Sequence, residues 1–255
     1  MLITIRFYEE LNYFLKNFPQ KQDIVYESKD KRSVKDLIES FGVPHVEVDL
    51  ILVNGESVGF DYPVQEGDQI SVYPMFEMLD IKTVSRLEKE PLRQIKFVLD
   101  VHLGKLARYL LLLGFDTDYK TYRDDPELAE IAYREKRILL TRDRKLLMRK
   151  IVDHGLIVRN SDPFLQIIEI LNRLDLWDQV QPLSRCVHCS GPLQPLNQDS
   201  EEFIEKQHLI PNSVLQWCST YVYCSHCGHV YWEGNQFEHL KRKIERIMAN
   251  RPRKD

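Results

Sequence analysis

The chain has 255 residues, 43% of them hydrophobic, and a formal net charge of -4 at pH 7. That length is sufficient for one large domain or for two to three small ones. No run of eighteen apolar residues occurs and charges interrupt the N-terminal stretch MLITIRFYEELNYF, so neither membrane insertion nor secretion is supported and a soluble, cytoplasmic protein is expected.

Residues 1–76 are predicted to form an α+β domain. The predicted strands are ITIRFY, DIVYES, ILVNG and QISVYP, and SVKDLIESFG is a predicted helix with Ser33 as its cap and Gly42 as its stop. The stretch VNGESVGFDYPVQEGDQISVYP resembles the small sulfur-carrier proteins of the ubiquitin-like β-grasp kind. Those carriers end in Gly-Gly, whereas MFEMLD follows Pro74 here, so the domain is expected to hold a protein partner or the rest of the chain.

Residues 95–178 follow a charged stretch, 77–94, that we interpret as a linker. The predicted strands are IKFVLD, DTDYKTY, RILLT and GLIVRN, which alternate with the predicted helices VHLGKLARYLLLLGF, PELAEIAYREK, RKLLMRK and PFLQIIEILNRLDL. Such alternation is typical of an α/β domain with parallel strands and right-handed crossovers.

Aspartates follow the predicted strands of this central segment. Asp100, the pair Asp124 and Asp125, Asp143 and Asp162 each lie at or just after a strand end. Ligands bind beyond the carboxyl ends of parallel strands, so we expect these carboxylates to converge. Converging carboxylates need a cation, and their oxygen atoms suit Mg²⁺ or Mn²⁺, which can activate a water for attack on a phosphodiester.

The same aspartates have a structural alternative as helix caps. Asp125 and Asp162 each precede a proline, which fits an N-cap followed by proline at the first helical position, and Asp143 can cap the helix after it. Asp100 is harder to explain in this way. It ends the apolar strand FVLD, where a charge facing the core is costly without a partner.

Four runs of the central segment resemble a known nuclease family. The runs FVLDVHLGKLARYLLLLGFDTDY, DDPELAEIA, RILLTRDRKLL and VRNSDPFLQIIEIL are similar to the Mut-seven C-terminal domain family, a branch of the PIN-like nucleases. In that family a ubiquitin-like domain commonly precedes the nuclease-like domain and a zinc ribbon follows it. The resemblance implies a PIN-like α/β/α fold, an acidic site for a divalent metal, and ribonuclease activity.

The resemblance also implies roles for individual residues. Asp100 matches the acid at the first strand end, Asp125 the acid of the D-x-E-L-like segment, and Asp143 the acid of T-R-D. These three are expected to be catalytic and to bind Mg²⁺ or Mn²⁺, and Asp162 falls where a fourth catalytic acid is expected. Thr141 is expected to orient Asp143 or a metal-bound water.

Basic residues near these acids are candidates for contacting RNA phosphate. Lys105 and Arg108 lie off the apolar stripe of their predicted helix, and Arg142 and Arg144 flank Asp143. Solvent-exposed helix faces or ends explain these residues equally well. Three aromatic residues near the C-terminus could stack on bases, although packing around a ribbon is the favoured interpretation: Tyr231, Trp232 and Phe237.

The C-terminal residues 179–255 contain two C-x-x-C pairs, CVHC and CSHC. Two such pairs complete a tetrahedral shell of soft ligands, which predicts one structural zinc ion bound by Cys186, Cys189, Cys224 and Cys227. A redox motif or chance pairing is the alternative. The 34 residues between the pairs exceed the about 15 to 20 of a compact ribbon.

The remaining thiol and nearby histidines are not expected to bind the metal. Cys218 is predicted to be a small buried hydrophobe, and His188, His226 and His229 to be residues of the metal-binding turns rather than ligands. The chain ends in the basic run KRKIERIMANRPRKD, which is either a phosphate-attracting tail or an ordinary solvated helix end.

The sequence predicts a multidomain α/β protein: an N-terminal β-grasp domain, a central PIN-like α/β/α domain with a parallel sheet, and a C-terminal zinc ribbon. The leading hypothesis is a metal-dependent ribonuclease acting on RNA, with tRNA or another structured RNA among the candidate substrates. The alternative is a non-catalytic RNA-binding or adaptor protein. A toxin of a toxin-antitoxin pair usually consists of the PIN-like core alone, and the flanking domains argue against it.

The charges are distributed unevenly. Residues 1–80 contain seven Lys or Arg against fifteen Asp or Glu, whereas residues 81–255 contain 28 against 24. This asymmetry raises the further hypothesis that the acidic N-terminal domain shields a nuclease face as a nucleic-acid mimic.

Overall fold

A computed structural model describes residues 1–28, 30–74, 85–87, 92 and 94–252, apart from the side chain of residue 236. The predicted linker 77–94 lies largely outside the described residues, as do the last three residues of the basic tail. Two compact units are present, Met1–Gln94 with Asp124–Ile157 and Ile95–Arg123 with Val158–Asp255. The domain boundaries at 76, 95 and 178 remain predictions. No helix within the described ranges is long and apolar enough to cross a bilayer.

The N-terminal part forms a five-stranded sheet with one α-helix. Its elements are β1 (Leu2–Phe7), β2 (Ile24–Glu27), α1 (Val34–Ser40), β3 (Val48–Val53), β4 (Glu56–Ser57) and β5 (Gln69–Pro74), with 3-10 turns at Glu9–Phe14 and His45–Glu47. The strand order is β2-β1-β5-β3-β4, in which β1 and β5 are parallel and the other pairs antiparallel. All four predicted strands and the predicted helix are therefore confirmed.

Local sequence signals explain the helix and its packing in this sheet. Ser33 caps α1 by accepting a hydrogen bond from the backbone N–H of Asp36 at 3.1 Å, and Gly42 follows the helix with φ of +88°. The ring of Phe7, on β1, lies 5.3 Å from that of Phe41 at the end of α1. The helix thus packs on the apolar face of the sheet.

The central part alternates strands with helices, as predicted. Its elements are β6 (Lys96–Leu99), α2 (Gly104–Leu112), β7 (Asp116–Tyr119), α3 (Asp125–Arg134), β8 (Ile138–Thr141), α4 (Arg144–Leu147), β9 (Gly155–Ile157) and α5 (Pro163–Arg173). Strands β6 and β7 are parallel, and so are β8 and β9. The four strands are short, and α4 has a single turn where a longer helix was predicted.

Burial follows the apolar stripe predicted for α2. Leu106, Ala107 and Leu110 are buried, whereas Lys105 and Arg108 are exposed. The stripe is therefore part of the hydrophobic core of the second unit, where α2 packs against α5 and β7.

The C-terminal part forms a three-stranded antiparallel sheet with helices inserted and appended. Its elements are β10 (Leu193–Pro195), α6 (Glu201–Lys206), α7 (Asn212–Leu215), β11 (Tyr221–Cys224), β12 (Val230–Trp232) and α8 (Asn235–Met248). The strand order is β10-β11-β12. Helix α8 packs on α5, with the guanidinium of Arg246 lying 4.2 Å from the ring centre of Phe164 and with Ile247 fully buried.

The C-terminal part is attached to α2 and β7 within the second unit. Backbone N–H groups of Gln181 and Leu183 donate to carbonyls at the end of α2, each at 2.9 Å. The backbone N–H of Thr117, on β7, donates to the hydroxyl of Ser190 at 2.9 Å. Arg185 also pairs with Asp116 at 3.4 Å. Several directional contacts therefore hold the C-terminal part on α2 and β7.

Candidate metal centre and acidic strand ends

The four paired cysteines come together at one point of the C-terminal part. The Sγ atoms of Cys186 and Cys227 are 3.7 Å apart, those of Cys189 and Cys224 are 3.4 Å apart, and all four lie within 4.8 Å of one another. In the part of the chain that the structure describes, no other group of three or more His, Cys, Asp or Glu is so arranged for one metal ion. The quartet is therefore a candidate metal centre.

The first pair lies on a tight turn before β10. The backbone N–H of Cys186 donates to the carbonyl of Gly191 at 2.8 Å, and that of Ser190 donates to the carbonyl of Cys186 at 2.9 Å. The N–H of His188 points at the Cys186 sulfur, at 3.4 Å. Ser190 has φ of +63°, which closes the turn.

The second pair repeats this construction between β11 and β12. The N–H of Gly228 donates to the carbonyl of Cys224 at 2.9 Å, and the N–H of His226 points at the Cys224 sulfur at 3.4 Å. Gly228 has φ of +73°, a conformation that favours glycine. The two turns approach closely, since a Cβ at Gly191 would lie 2.8 Å from the Cys224 sulfur.

One tyrosine hydroxyl faces the quartet. Tyr231 Oη lies 3.1 Å from the Cys186 sulfur. Burial raises the pKa of Cys186, but hydrogen bonds from Tyr231 and from the backbone N–H groups of His188 and Cys189 outweigh it and lower that pKa to about 7. Burial and the neighbouring thiols raise the pKa of Cys189 to about 12, and burial raises that of Cys227.

The donor set fits a tetrahedral soft metal ion. Zinc–thiolate bonds of about 2.3 Å place neighbouring sulfurs of a tetrahedron about 3.8 Å apart. Two sulfur–sulfur distances across the quartet, 3.4 and 3.7 Å, are near that value. Backbone N–H groups directed at two of the sulfurs stabilise the thiolate form that a metal requires. The cysteine residues therefore fit zinc.

Neighbouring polar residues stay outside this ligand set. The rings of His188 and His229 lie 4.4 Å apart, and that of His229 lies 4.7 Å from Tyr231, so these side chains pack beside the cysteines. Burial and the charge of His188 lower the pKa of His229. Cys218 is buried, and its thiol donates to the carbonyl of Thr220 at 3.3 Å, as expected for a residue of the core.

The long segment between the two cysteine pairs has a core of its own. Helices α6 and α7 come from it, and buried side chains from these helices and from the sheet form one hydrophobic cluster. Its members are Leu196, Phe203, Ile210, Val214, Cys218, Tyr221 and Val230. The 34 residues are thus a small folded insertion rather than a loop.

Asp100 directly follows β6 and is 7% exposed. Its Oδ1 accepts a hydrogen bond from the N–H of His102 at 3.2 Å. The turn after it is fixed from the neighbouring strand, because the Tyr119 hydroxyl donates to the carbonyl of Val101 at 2.8 Å. A Cβ at Gly104 would lie 2.6 Å from that hydroxyl oxygen and 2.9 Å from Cζ of the same ring, so a larger residue there must displace Tyr119. A buried carboxylate at the carboxyl end of a parallel strand is thus held in a defined turn.

Asp143 lies on the turn between β8 and α4 and is exposed. Its N–H donates to the Thr141 hydroxyl at 2.9 Å, and its Oδ1 caps α4 by accepting the N–H of Lys145 at 2.8 Å. Thr141 is fully buried. The expectation that Thr141 orients Asp143 is supported at the backbone, and the capping alternative for Asp143 is confirmed.

The prediction that Asp125 is an N-cap is wrong. Helix α3 begins at Asp125, and it is Asp124 that accepts the N–H of Glu127, at 2.9 Å. The cap lies one residue earlier than the proline pattern indicates, and Pro126 occupies the second helical position, where the proline ring is also tolerated. Asp125 is half-buried and its carboxylate is not that cap.

Asp162 is an N-cap as predicted. It is exposed, it directly precedes α5, and its Oδ1 accepts the N–H of Phe164 at 2.7 Å. Asp100 and Asp162 belong to the second compact unit, and Asp125 and Asp143 to the first. Their convergence on one metal stays a prediction.

The four candidate phosphate-binding residues differ in their surroundings. Lys105, Arg108 and Arg142 are exposed. Arg144 instead donates through Nη1 to the carbonyl of Phe14 at 3.1 Å. Its guanidinium is therefore already engaged by the N-terminal part of the first unit.

The three aromatic residues proposed for stacking are mainly engaged in packing. Tyr231 faces the cysteines, Trp232 packs against the hydrophobic cluster of the insertion, and the ring of Phe237 lies 4.5 Å from the Lys241 ammonium. Sequence reasoning did not single out Tyr122, which is 77% exposed just after β7. The aromatic residue in a polar turn, KTYRDD, was the only available signal.

Comparison with known proteins gives two matches in the expected order. A family model described as Mut7-C RNAse domain matches residues 95–244, and one described as Mut7-C ubiquitin matches residues 1–80. No curated protein and no solved structure matches the chain.

Proposed function

The chain belongs to the family of the Mut7-C RNAse domain, with a Mut7-C ubiquitin domain before it, and on that premise we propose that it is a metal-dependent ribonuclease. The observation that carries this proposal is Asp100, a buried carboxylate at the carboxyl end of a parallel strand. Ligands of open α/β sheets bind beyond the carboxyl ends of the parallel strands, and Asp100 lies at that end of β6, so its position supports a functional role.

Asp100, Asp125 and Asp143 are proposed to hold Mg²⁺ or Mn²⁺, with Asp162 as a further catalytic acid. Carboxylate oxygens are the ligands that these hard ions prefer. When bound, such an ion supplies an activated water and stabilises the leaving oxygen of a phosphodiester. The chain's own contribution is positional: His102 N–H and the Tyr119 hydroxyl fix the turn after Asp100, and the Thr141 hydroxyl fixes the backbone at Asp143.

RNA is the proposed substrate, held by exposed cations and an aromatic ring. Lys105 and Arg108 share the exposed face of α2, which begins four residues after Asp100. Strands β6 and β7 are parallel and pair Leu99 with Tyr119, so the residues that follow each of them lie at the same sheet edge. The proposed role of the exposed Tyr122, three residues after β7, is to stack on a base near Asp100. The proposed role of Arg142 rests on its exposure next to Asp143.

The cysteine quartet is proposed to bind one structural zinc ion. Four thiolates leave no open coordination position, so this site is proposed to stabilise the C-terminal part rather than to catalyse. The two metals then have separate roles. Removing the hard metal should stop cleavage reversibly, whereas removing zinc should unfold β10, β11 and β12.

A non-catalytic RNA-binding or adaptor protein is the second candidate. It is favoured by the capping bonds, because Asp143 and Asp162 each have a structural role that explains them without a metal. Substitution by asparagine separates the two functions, since asparagine caps helices about as well as aspartate but binds hard cations poorly.

The test is cleavage of a mixed RNA pool by the full chain with Mn²⁺, Mg²⁺ or EDTA. Asp100→Asn and Asp143→Asn should lose cleavage at least about 100-fold, in line with the loss of a metal ligand or its orientation. Asp124→Asn is the matched control, since it keeps the α3 cap and should leave cleavage unchanged. Equal cleavage by Asp100→Asn, Asp143→Asn and the unmodified protein would exclude this site as the source of cleavage, whereas RNA binding without cleavage by the unmodified protein in either metal would favour the adaptor.

A further inference from the structure

Three hydrogen bonds join the N-terminal domain to residues 144–157 within the first compact unit. Glu47 Oε1 accepts the backbone N–H of Ile157 at 2.7 Å. The Nε2 of His45 lies 3.0 Å from the carbonyl oxygen of Val152, and Arg144 donates to the carbonyl of Phe14 at 3.1 Å. Glu47 is 1% exposed and His45 is buried, so these groups belong to a packed contact.

Glu47 takes the place of a neighbouring strand beside β9. Strand β9 pairs with β8 in parallel, and Ile157 is the register partner of Thr141. The N–H of Ile157 is directed away from β8, and the Glu47 carboxylate supplies its acceptor. A buried N–H at a strand edge is costly without such a partner, so Glu47 holds the end of β9 in place.

Arg144, the residue after Asp143, is also held by the N-terminal domain. Its guanidinium lies 5.6 Å from the ring centre of Tyr13 and 5.0 Å from that of Phe14, in addition to its hydrogen bond. Gly42 lies beside it, since a Cβ there would be 3.4 Å from Nη1, in van der Waals contact. We call Tyr13, Phe14 and Gly42 the arginine cradle.

These two contacts lie on either side of Asp143. Thr141, whose strand partner Ile157 is held by Glu47, accepts the N–H of Asp143. Arg144, which the arginine cradle holds, is the next residue along the chain and opens α4. The backbone of Asp143 therefore runs between two points that are each fixed by the N-terminal domain.

We propose that Glu47 and the arginine cradle are positioning residues for Asp143, so that the N-terminal domain holds the Thr141–Asp143 turn in its metal-binding conformation. This inference rests on the proposed role of Asp143 as a metal ligand. The occupant of this face of the ubiquitin-like domain is then the nuclease segment of the same chain, and Arg144 is an anchor rather than a phosphate contact.

The test compares Glu47→Ala with Glu47→Gln in the full chain. Glutamine keeps an oxygen that can accept the Ile157 N–H, whereas alanine removes that acceptor. Glu56→Ala, on the exposed strand β4, is the control for removing one negative charge from the same domain. Three quantities are measured: hydrogen exchange of residues 138–157, Mn²⁺ affinity by electron paramagnetic resonance of the free ion, and kcat and KM on RNA.

For Glu47→Ala we expect the rate of amide hydrogen exchange at Ile157 and in the Asp143 turn to rise about tenfold or more. A change of this size corresponds to the loss of one buried hydrogen bond. Mn²⁺ affinity and kcat should fall about tenfold, with KM within about twofold, because the turn is displaced while the RNA-contacting side chains stay. Glu47→Gln should recover most of the loss, and Glu56→Ala should match the unmodified protein. A folded Glu47→Ala protein with unchanged exchange and Mn²⁺ affinity, or a glutamine variant as impaired as alanine, would overturn the proposal.

A second variant decides the outcome if Glu47→Ala does not fold. Tyr13→Ala removes a 45% exposed ring from Arg144 and should weaken Mn²⁺ binding in the same direction by about threefold, the scale of a cation–π contact. Unchanged Mn²⁺ binding would count against the arginine cradle. Failure of the proposed function can be told apart from failure of this inference. An unmodified protein that neither binds Mn²⁺ nor cleaves RNA refutes the proposed function, whereas hydrogen exchange is measured without metal or RNA and does not depend on that function. The exchange result still reports whether the N-terminal domain holds the turn.

Discussion

Replacing Tyr231 by phenylalanine should weaken zinc binding while leaving the fold of the C-terminal part intact. The substitution removes the hydroxyl that lies 3.1 Å from the Cys186 sulfur and keeps the ring that packs 4.7 Å from His229. Burial and the hydrogen bond to Cys186 raise the pKa of Tyr231 far above neutrality, so the hydroxyl remains a donor across the accessible pH range.

The size of the effect follows from the charge of the acceptor. A hydrogen bond to a charged group contributes about 1.5 to 3 kcal/mol, which corresponds to roughly 10- to 150-fold in affinity. Partners of metal ligands typically change affinity by about 10- to 100-fold when they are removed. We therefore expect zinc to bind Tyr231→Phe about 10- to 100-fold more weakly.

The assay is competition for zinc against a chromophoric chelator under reducing conditions, with Co²⁺ absorption as a check that four thiolates are bound. Tyr223→Phe is the matched control on strand β11, since its hydroxyl contacts Gln194 at 3.2 Å rather than a cysteine. That variant should bind zinc within about twofold of the unmodified protein, because an exposed neutral hydrogen bond contributes little. Equal zinc affinity for the Tyr231 variant and the unmodified protein would refute the claim that the hydroxyl stabilises the bound thiolate.

Three further predictions address other parts of the second unit. Gly104→Ala should destabilise the protein by about 1 to 3 kcal/mol, because its Cβ would lie 2.6 Å from the Tyr119 hydroxyl oxygen and 2.9 Å from Cζ, and a thermal unfolding midpoint equal to that of the unmodified protein would contradict this packing. Cys218→Ala should still bind one zinc ion per chain by elemental analysis, and loss of zinc would place this thiol in the ligand set. Tyr122→Ala should lower the affinity for single-stranded RNA about fivefold or more in fluorescence anisotropy with EDTA present, whereas an unchanged affinity would exclude base stacking at this residue.

Features that depend on a few neighbouring residues could be predicted from the sequence. The spacing of the two C-x-x-C pairs identified the four cysteines that the structure brings together. The caps at Ser33 and Asp162 were likewise readable, because a cap depends on residues within three positions of it. The strand and helix order followed from hydrophobic periodicity in the same way.

The helix start at the DDP run shows the limit of local signals. Asp124 and Asp125 both precede Pro126, and proline is compatible with either of the first two helical positions. The conformation of the backbone between β7 and α3 decides which of the two carboxylates reaches the Glu127 N–H. That conformation cannot be inferred from the types of the neighbouring residues. Because Asp124 is the cap, the Asp125 carboxylate is not used in capping α3, which is compatible with its proposed role as a metal ligand.

Contacts between distant residues that belong to no shared motif could not be predicted. Glu47 and Ile157 are 110 positions apart, and nothing in HVEVDL indicates that its acid is buried against a strand edge. Glu47 alone would be assigned to the surface, since an unpaired acid is almost never fully buried. The insertion between the cysteine pairs was expected only to be long, because its hydrophobic residues form a core through tertiary packing rather than through a regular period.

The acidic N-terminal domain has two candidate roles, and ionic strength separates them. A nucleic-acid mimic must present carboxylates to solvent, where their attraction is screened over about 8 Å at physiological salt. The contacts with residues 144–157 instead use two buried side chains, Glu47 and His45, and the backbone carbonyl of Phe14. Buried hydrogen bonds are screened far less than exposed charges. The loss of kcat in Glu47→Ala should therefore be the same at low and high salt, whereas relief of mimicry would appear as tighter RNA binding that fades as salt rises.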